Sequence, residues 1–265
     1  MTAGPARWLL GIASLALLLA TGCNSSNVIS TQPVQALKGN WVFAAQSAQT
    51  VPSNLTLNAG LSSQSSGAVT AVAHLAGASC VSANTGIVLA GSVDSLGKFA
   101  LNSQPFAGTT LAIKGQVAAD GKSVSAAKWT FSGGSCAALG TASLAATQFS
   151  QVNGNYTGTF VDANNNQLPV TATLTQTTQP DQNGQFHLSG SANFPNNPCF
   201  TQPVVTDSLV TGSSLSATYA QGAASITAAG TFNSDATQLT ITSWQVTGGQ
   251  CDGDSGTGLL TSSGQ

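Results

Sequence analysis

Apolar and polar residues alternate with a period of two through most of the chain after residue 38, which predicts β-strands. The segments Leu55–Asn58 and Val170–Thr175 place aliphatic side chains on one face and hydroxyl or amide side chains on the other. Turn signals such as Asp120-Gly121 and Asn183-Gly184 recur every ~8–12 residues, as expected of antiparallel strands joined by hairpins. The region shows no convincing helical period. The pattern therefore predicts an all-β protein.

A duplication organises these strands, with a constant offset of 115 residues from Gly39 to Gly154. The segment Gly39–Trp41 corresponds to Gly154–Tyr156, and Trp129–Cys136 corresponds to Trp244–Cys251. Each copy accommodates about eight short strands, which predicts two tandem homologous antiparallel domains, each a small barrel or a sandwich. The predicted domains are residues 38–149 and 153–262.

The duplication also predicts the disulfide bonds. If Cys23 is set aside, four cysteines remain, and four cysteines allow three pairings. Only the pairing of Cys80 with Cys136 and of Cys199 with Cys251 gives each copy its own bridge. The alternatives are four reduced cysteines or a metal site, but the chain has no C-x-x-C pair.

A change of inward face occurs in the seventh strand of both copies. In the first copy Val124 and Ala126 have even numbers, whereas Trp129 and Phe131 have odd numbers. The second copy repeats the change between Ile241 and Trp244. We expect a β-bulge or barrel corner here, the alternative being a central strand that is buried on both faces.

The first 22 residues are typical of a secretory signal peptide. Arg7 precedes an apolar run from Trp8 to Ala20, which as a helix is too short to cross the ~30 Å hydrocarbon core of a bilayer. The following segment, Leu19–Cys23, resembles the lipobox of bacterial lipoproteins.

The lipobox resemblance implies that Cys23 carries diacylglycerol and becomes the first residue of the mature protein. Residues 23–37 would then form a flexible, uncharged tether between the lipid and the domains. Asn24 stands where an aspartate would signal retention in the inner membrane, so the resemblance favours the outer membrane. The expected partner is a membrane, bound through the lipid on Cys23.

The Gly-x-Trp segment at Gly39–Trp41, and its counterpart at Gly154–Tyr156, resembles the opening of lipocalins and avidins. This resemblance implies a barrel with the aromatic residue closing one end, and it provides the alternative function, a small-ligand carrier. The arginine that packs on this tryptophan in lipocalins has no counterpart, since Arg7 is the only arginine.

Charged residues make up only 5% of the 265 residues, with a net charge of −2. The chain has no glutamate, and all eight acidic residues are aspartate. This composition excludes a basic nucleic-acid binder and a helical bundle rich in ion pairs. It also removes most residues that serve in general acid–base catalysis, so we expect a protein that is not an enzyme and has no cofactor.

One segment has the appearance of a catalytic motif. Residues Cys251–Gly256 resemble the sequence around the nucleophile of chymotrypsin-like proteases, with Ser255 as nucleophile and His74 as base. Only ten residues follow Ser255, too few to build the specificity pocket and closing strands, and His74 lies in the other domain. We therefore expect no catalytic triad.

Other polar and aromatic residues are expected to be structural. Asp252 and Asp254 could form half of a calcium loop, as could Asp162–Asn166, but neither segment supplies enough carboxylates, so solvated turns are favoured. The histidines His74 and His187 lie in predicted strands and are expected to be structural. The tryptophans are favoured as core residues over sugar-stacking platforms: Trp41, Trp129 and Trp244.

Three functions are compatible with the sequence. The favoured one is an exported, lipid-anchored, non-enzymatic binding or structural protein of the cell envelope. The second is a small-ligand carrier with lipocalin-like barrels, and the third is an envelope hydrolase. We expect no metal and no nucleic acid as partner.

Overall fold

The computed structural model describes residues 36–46, 54–195 and 197–263, apart from the side chains of residues 204–207. All of these belong to one compact unit, Gln32–Gln265. The predicted signal peptide and the lipidation of Cys23 lie outside the described residues. Leu37, the last residue of the predicted tether, is fully buried and so belongs to the packed body.

Two closed eight-stranded antiparallel barrels follow one another along the chain, as predicted. Each strand pairs with its neighbours in sequence, and β1 pairs with β8 to close barrel 1. The strands of barrel 1 are β1 Gly39–Ala45, β2 Thr56–Ser63, β3 Ala68–Ala76, β4 Ile87–Val93, β5 Lys98–Ser103, β6 Thr110–Val117, β7 Ser123–Ser132 and β8 Thr141–Phe149.

Barrel 2 repeats this meander, with β16 pairing to β9 to close it. Its strands are β9 Asn153–Asp162, β10 Gln167–Gln176, β11 Phe186–Asn193, β12 Val204–Thr211, β13 Ser214–Gln221, β14 Ala224–Phe232, β15 Gln238–Thr247 and β16 Ser255–Ser262. Closure leaves no free sheet edge in either barrel, which removes the usual site of strand-to-strand aggregation. Among the described residues, no helix is long and apolar enough to cross a membrane.

The period-two pattern produces a filled interior in each barrel. Burial alternates along β3 and β10, and the inward side chains of each barrel form one continuous hydrophobic cluster. The two Gly-x-aromatic segments contribute to these cores: Trp41 and Tyr156 are both fully buried. The Trp41 Nε1–H donates to the Lys38 carbonyl at 3.0 Å, and the Tyr156 hydroxyl donates to the Ala236 carbonyl. Burial, with a smaller effect of Asp235, raises the pKa of Tyr156 to about 12.

The predicted face switch is a β-bulge in both copies. The register between β7 and β8 shifts between Val124 and Ala127, and the register between β15 and β16 shifts between Ile241 and Trp244. Ala126 is exposed, although the sequence pattern placed it inward beside Val124. It is the extra residue of the bulge and has a φ of 49°, so its side chain leaves the inner face.

Each barrel has one disulfide, with the predicted pairing. Cys80 is bonded to Cys136 with Cα atoms 5.2 Å apart, and Cys199 is bonded to Cys251 with Cα atoms 6.1 Å apart. The bridges join loops at the end of each barrel rather than neighbouring strands. Each therefore closes a long covalent loop, and such loops constrain the unfolded chain strongly.

Aspartate carboxylates close the hairpin turns. In five hairpins an aspartate Oδ1 accepts a hydrogen bond from the backbone N–H two residues later, the arrangement of an Asx-turn. These residues are Asp94, Asp120, Asp162, Asp181 and Asp235. The hydrogen bonds to the ionised form lower three carboxyl pKa values: the backbone N–H of Lys122 acts on Asp120, and the side chains of Asn166 and Thr237 act on Asp162 and Asp235.

These lowered pKa values predict a loss of stability in acid. Since the folded-state pKa lies below the unfolded one, each carboxylate stabilises the fold above the unfolded pKa, and this contribution is lost as the pH falls through the folded value. We expect the melting temperature to fall from roughly pH 5 to pH 2. The melting temperature of the triple variant Asp120→Asn, Asp162→Asn, Asp235→Asn should fall less over this pH range, because asparagine keeps the acceptor oxygen without titrating.

Differential scanning calorimetry at several pH values measures this difference. Asp254→Asn is the matched control, since the Asp254 carboxylate accepts no hydrogen bond within the part of the chain that the structure describes. If the triple variant and wild type show the same acid slope, these turn carboxylates do not govern the acid stability.

Candidate binding site between the barrels

Two loops of barrel 2 pack on the outer face of strands β1, β2 and β3 of barrel 1. They are residues 177–185, between β10 and β11, and residues 212–213, between β12 and β13. The backbones approach so closely that a Cβ on Gly60 would lie 2.7 Å from the Pro180 Cβ, inside van der Waals contact. Gly184 has a φ of 74°, and a Cβ there would lie 3.0 Å from the Val72 Cβ. Glycine is therefore required at both positions for the barrels to meet.

Asn40 fixes the centre of this contact with two hydrogen bonds. Its Nδ2 donates to the Gly212 carbonyl at 2.6 Å, and its Oδ1 accepts the Gly212 N–H at 2.8 Å. Asn40 is only 3% exposed, so both bonds are shielded from water. A buried side-chain amide that donates to and accepts from the backbone of the same residue defines one relative position of the two backbones.

Further hydrogen bonds between the barrels lie around the two bonds that Asn40 makes with Gly212. The Nε2–H of His74 donates to the Asn183 carbonyl at 2.8 Å, since a carbonyl can only accept. Ser62 Oγ donates to Gln179 Oε1 at 2.8 Å. The connection between the barrels is only residues 150–152, and its Ser150 N–H donates to the Ser234 carbonyl at 2.8 Å. The short connection and the distributed bonds hold the barrels in one arrangement.

A cleft of about 450 Å³, the inter-barrel cleft, lies beside this contact. Both barrels supply its polar lining, three residues from barrel 1 and four from barrel 2: Asn58, His74, Asn84, Asn183, Gln185, Thr211 and Ser214. Ala76, Ala83 and Gly86 add small apolar surface. The described lining contains no lysine, arginine or aspartate, so the cleft is rich in hydrogen-bonding groups and has no carboxylate, ammonium or guanidinium group.

The Cys80–Cys136 bridge stabilises one wall of this cleft. Cys80 and Asn84 belong to the same loop, residues 77–86, between β3 and β4. The Ser135 hydroxyl, next to Cys136, donates to the Cys80 carbonyl at 2.8 Å. The bridge and this hydrogen bond tie the loop that carries Asn84 to the end of barrel 1.

The structure does not bring the protease-like residues together. His74 lies in the inter-barrel cleft, where its Nε2 bonds to Asn183. Ser255 begins β16 and lines a different concavity, on the outer surface of barrel 2. Ser255 and His74 therefore lie in different concavities.

The two segments with calcium-like spacing are turns. The Asp252 Oδ1 accepts the Gly248 N–H at 2.7 Å, and Asp162 accepts from two backbone N–H groups and the Asn166 side chain. Among the residues that the structure describes, no group of three or more His, Cys, Asp or Glu side chains could hold a metal ion. His187 is exposed, and its Nε2 lies 3.4 Å from the Asp181 Oδ2 on the surface.

All three tryptophans considered for ligand stacking are core residues. Trp41 and Trp129 are fully buried, and Trp244 is 3% exposed. The Trp244 Nε1–H donates to the Thr257 carbonyl at 3.0 Å, whereas the equivalent Trp129 N–H has no hydrogen-bond partner among the described residues. Sequence reasoning placed these side chains correctly in the core.

The interior of barrel 2 has little room for a ligand. Its cavity, lined by apolar side chains such as Phe160, Leu188 and Leu239, has a volume of about 20 Å³. Pockets for small molecules have volumes of ~300–1,000 Å³, whereas ~10–15 Å³ is enough for one water. The interior of barrel 2 as packed here thus has room for about one water rather than for a lipocalin-like ligand. The inter-barrel cleft has the volume that the interior lacks.

No protein-family model matches the chain, and no curated protein matches it in sequence. Among solved structures, the chain is similar to a protein of unknown function from the DUF3598 family of Nostoc punctiforme. The two are 10% identical with a TM-score of 0.26, and the match covers 86% of this chain and 96% of that chain. At these values the similarity carries no argument about function.

Sequence reasoning missed the docking residues and the cleft, although one signal was present. Outward positions of a barrel are normally polar, yet barrel 1 has Val42, Gly60 and Val72 there. Strand register gives the equivalent positions of barrel 2 as Thr157, Thr173 and Ser191. Polar residues are missing from these outward positions in barrel 1 but not in barrel 2. This difference indicates that another part of the protein covers the outer face of barrel 1.

Proposed function

We propose that the protein is an exported lipoprotein of the cell envelope that binds a partner in the inter-barrel cleft without catalysing a reaction. The observation that carries this proposal is the contact made by Asn40, which holds two filled barrels so that a polar cleft persists between them. A preformed concave surface with convergent hydrogen-bonding groups is the usual form of a binding site.

The use of the aspartates supports binding over catalysis. Five of the eight aspartates close hairpins through backbone hydrogen bonds, and Asp252 closes the turn before β16. The carboxylates are thus engaged in maintaining loops. Apart from His74, whose Nε2–H donates to the Asn183 carbonyl, the polar groups facing the cleft are amides and hydroxyls, which recognise ligands by hydrogen bonds and are poor general acids or bases.

The proposed location rests on Cys23 and the disulfides. The lipobox-like segment Leu19–Cys23 supports lipid attachment, and the two disulfides fit an oxidising compartment outside the cytoplasm. With Asn24 following the modified cysteine, the outer membrane is the proposed site. The uncharged residues 24–36 would space the barrels from the lipid surface.

Substitution of the lipidated cysteine tests the anchoring. In a bacterial host, Cys23→Ala should leave an uncleaved precursor without lipid, because the modified sulfur is absent. Mass spectrometry of the N-terminal peptide should find diacylglycerol on Cys23 of the wild type. Ser25→Ala, two residues further on, is the control and should be processed normally. Acylation of the Cys23→Ala protein, or an unmodified Cys23 in the wild type, would contradict the proposal.

A further inference from the structure

We infer, on the basis of the proposed binding function, that the ligand of the inter-barrel cleft is a neutral saccharide. The first support is the hydrogen-bonding state of the lining. The side chains of Asn58, Asn84, Asn183 and Ser214 make no hydrogen bond within the part of the chain that the structure describes. A side-chain amide offers an acceptor oxygen and two donor hydrogens, and a hydroxyl offers both functions. The cleft thus presents mixed donors and acceptors, which is the complement of sugar hydroxyls.

The second support is the charge of the lining. A phosphate, carboxylate or ammonium group would lose water in this cleft without meeting an opposite charge, which is unfavourable. Asp181 is the nearest acidic residue along the loop, and its Oδ1 already accepts the N–H groups of Asn183 and Gln185. A neutral, polyhydroxylated ligand avoids this desolvation cost.

The third support is the size and the apolar part of the cleft. A volume of about 450 Å³ lies within the ~300–1,000 Å³ range of small-molecule sites and suits a short oligosaccharide better than a single water-sized solute. Ala76, Ala83 and Gly86 provide small surfaces on which the C–H face of a pyranose ring can pack. The lining thereby matches both the polar and the apolar faces of a sugar.

The fourth point is that the site is shared between the barrels. Asn58 and Asn84 belong to barrel 1, whereas Asn183 and Ser214 belong to barrel 2. Asn40 does not line this cleft, but it holds the two walls together. Saccharide binding should therefore depend on the docking residue as well as on the lining residues.

Saturation-transfer difference NMR on the full-length protein as the expressing host processes it, placed in lipid nanodiscs if it carries lipid and in buffer if it does not, tests this inference. The probes are maltotriose, cellotriose and chitotriose as neutral sugars, trigalacturonic acid as a charged sugar, and N-acetyl-trialanine amide as a peptide. Each is used at about 5 mM, which populates complexes with millimolar Kd. We expect at least one neutral trisaccharide to bind and the charged sugar to give no signal.

The variants test where the sugar binds. Asn84→Ala together with Asn183→Ala removes one unpaired amide from each wall, and we expect Kd to rise about ten-fold. Asn102→Ala, on the exposed outer face of β5, is the matched control and should leave Kd unchanged. Asn40→Ala should also weaken binding by separating the walls. Since the side chains of Asn84 and Asn183 have no hydrogen-bond partners among the described residues, their loss should not affect folding.

Three outcomes would overturn the saccharide inference. They are the absence of signal from all three neutral sugars, binding that is unchanged in the Asn84 and Asn183 variant, and binding of the charged sugar or the peptide alone. Peptide binding that the double variant abolishes would leave the proposed binding function intact. Failure of lipid attachment to Cys23 would contradict the proposed anchoring without affecting the saccharide result.

Discussion

Replacing Cys80 and Cys136 together by alanine is expected to lower the free energy of unfolding by about 4 kcal/mol. The two cysteines are 56 residues apart, so the bridge removes a large part of the conformational freedom of the unfolded chain. Because Cys136 is fully buried, alanine is preferred to serine, which would bury a hydroxyl. Urea unfolding, monitored by circular dichroism in wild type and variant, measures the difference.

The second bridge provides a matched comparison. Replacing Cys199 and Cys251 by alanine opens a loop of similar length, 52 residues apart, and should cost a similar free energy of unfolding. Only the first bridge ties down the loop that carries Asn84, so only its loss should also disturb the inter-barrel cleft. A cost below about 1 kcal/mol for both variants would contradict a structural role of the bridges.

Asn40→Ala is expected to produce the second large effect, a loss of about 3 kcal/mol in the free energy of unfolding. The alanine variant leaves the N–H and the carbonyl of Gly212 without partners in a contact that is shielded from water. Each buried unpaired group costs about 1–3 kcal/mol, unless the barrels separate and water reaches it. The loss in the free energy of unfolding therefore cannot exceed the free energy by which the two barrels dock on each other.

The duplication supplies a control for this substitution. Asn155 precedes Tyr156 as Asn40 precedes Trp41, but Asn155 is exposed and its Oδ1 accepts only the Thr173 hydroxyl. Asn155→Ala should change the free energy of unfolding by less than about 0.5 kcal/mol. Equal effects of the two substitutions in urea unfolding would show that the Asn40 side chain stabilises barrel 1 locally rather than the contact with barrel 2.

The sequence predicted the barrels well because their cores depend on local patterns. Alternation assigns each side chain to an inner or an outer face, and the change of parity before Trp129 and Trp244 located both bulges correctly. The duplication then selected one disulfide pairing from three. These features follow from positions close together in the chain or repeated at a fixed offset.

The cleft could not be predicted in the same way. Alternation marks Asn40 and Asn58 only as outward residues, and it carries no information about which loop of the other barrel meets that outer face. The contact joins Asn40 to the backbone of Gly212, 172 residues away, where a φ of +60° and the nearby Val42 side chain favour glycine. Glycine at positions 60 and 184 permits the approach, but glycine is also common in ordinary turns and strands of this chain. The docking therefore emerges only from the assembled structure.

The central claim is that the barrels are fixed to each other, so that the cleft is a permanent feature of the surface. Amide hydrogen exchange at Gly212 tests it most directly, because this N–H lies in the turn between β12 and β13 and its hydrogen-bond partner among the described residues is Asn40 of the other barrel. In the full-length mature protein we predict exchange at least about a hundred-fold slower than in an unprotected peptide, with protection lost in Asn40→Ala. Exchange of the wild-type Gly212 amide at the unprotected rate would contradict the claim.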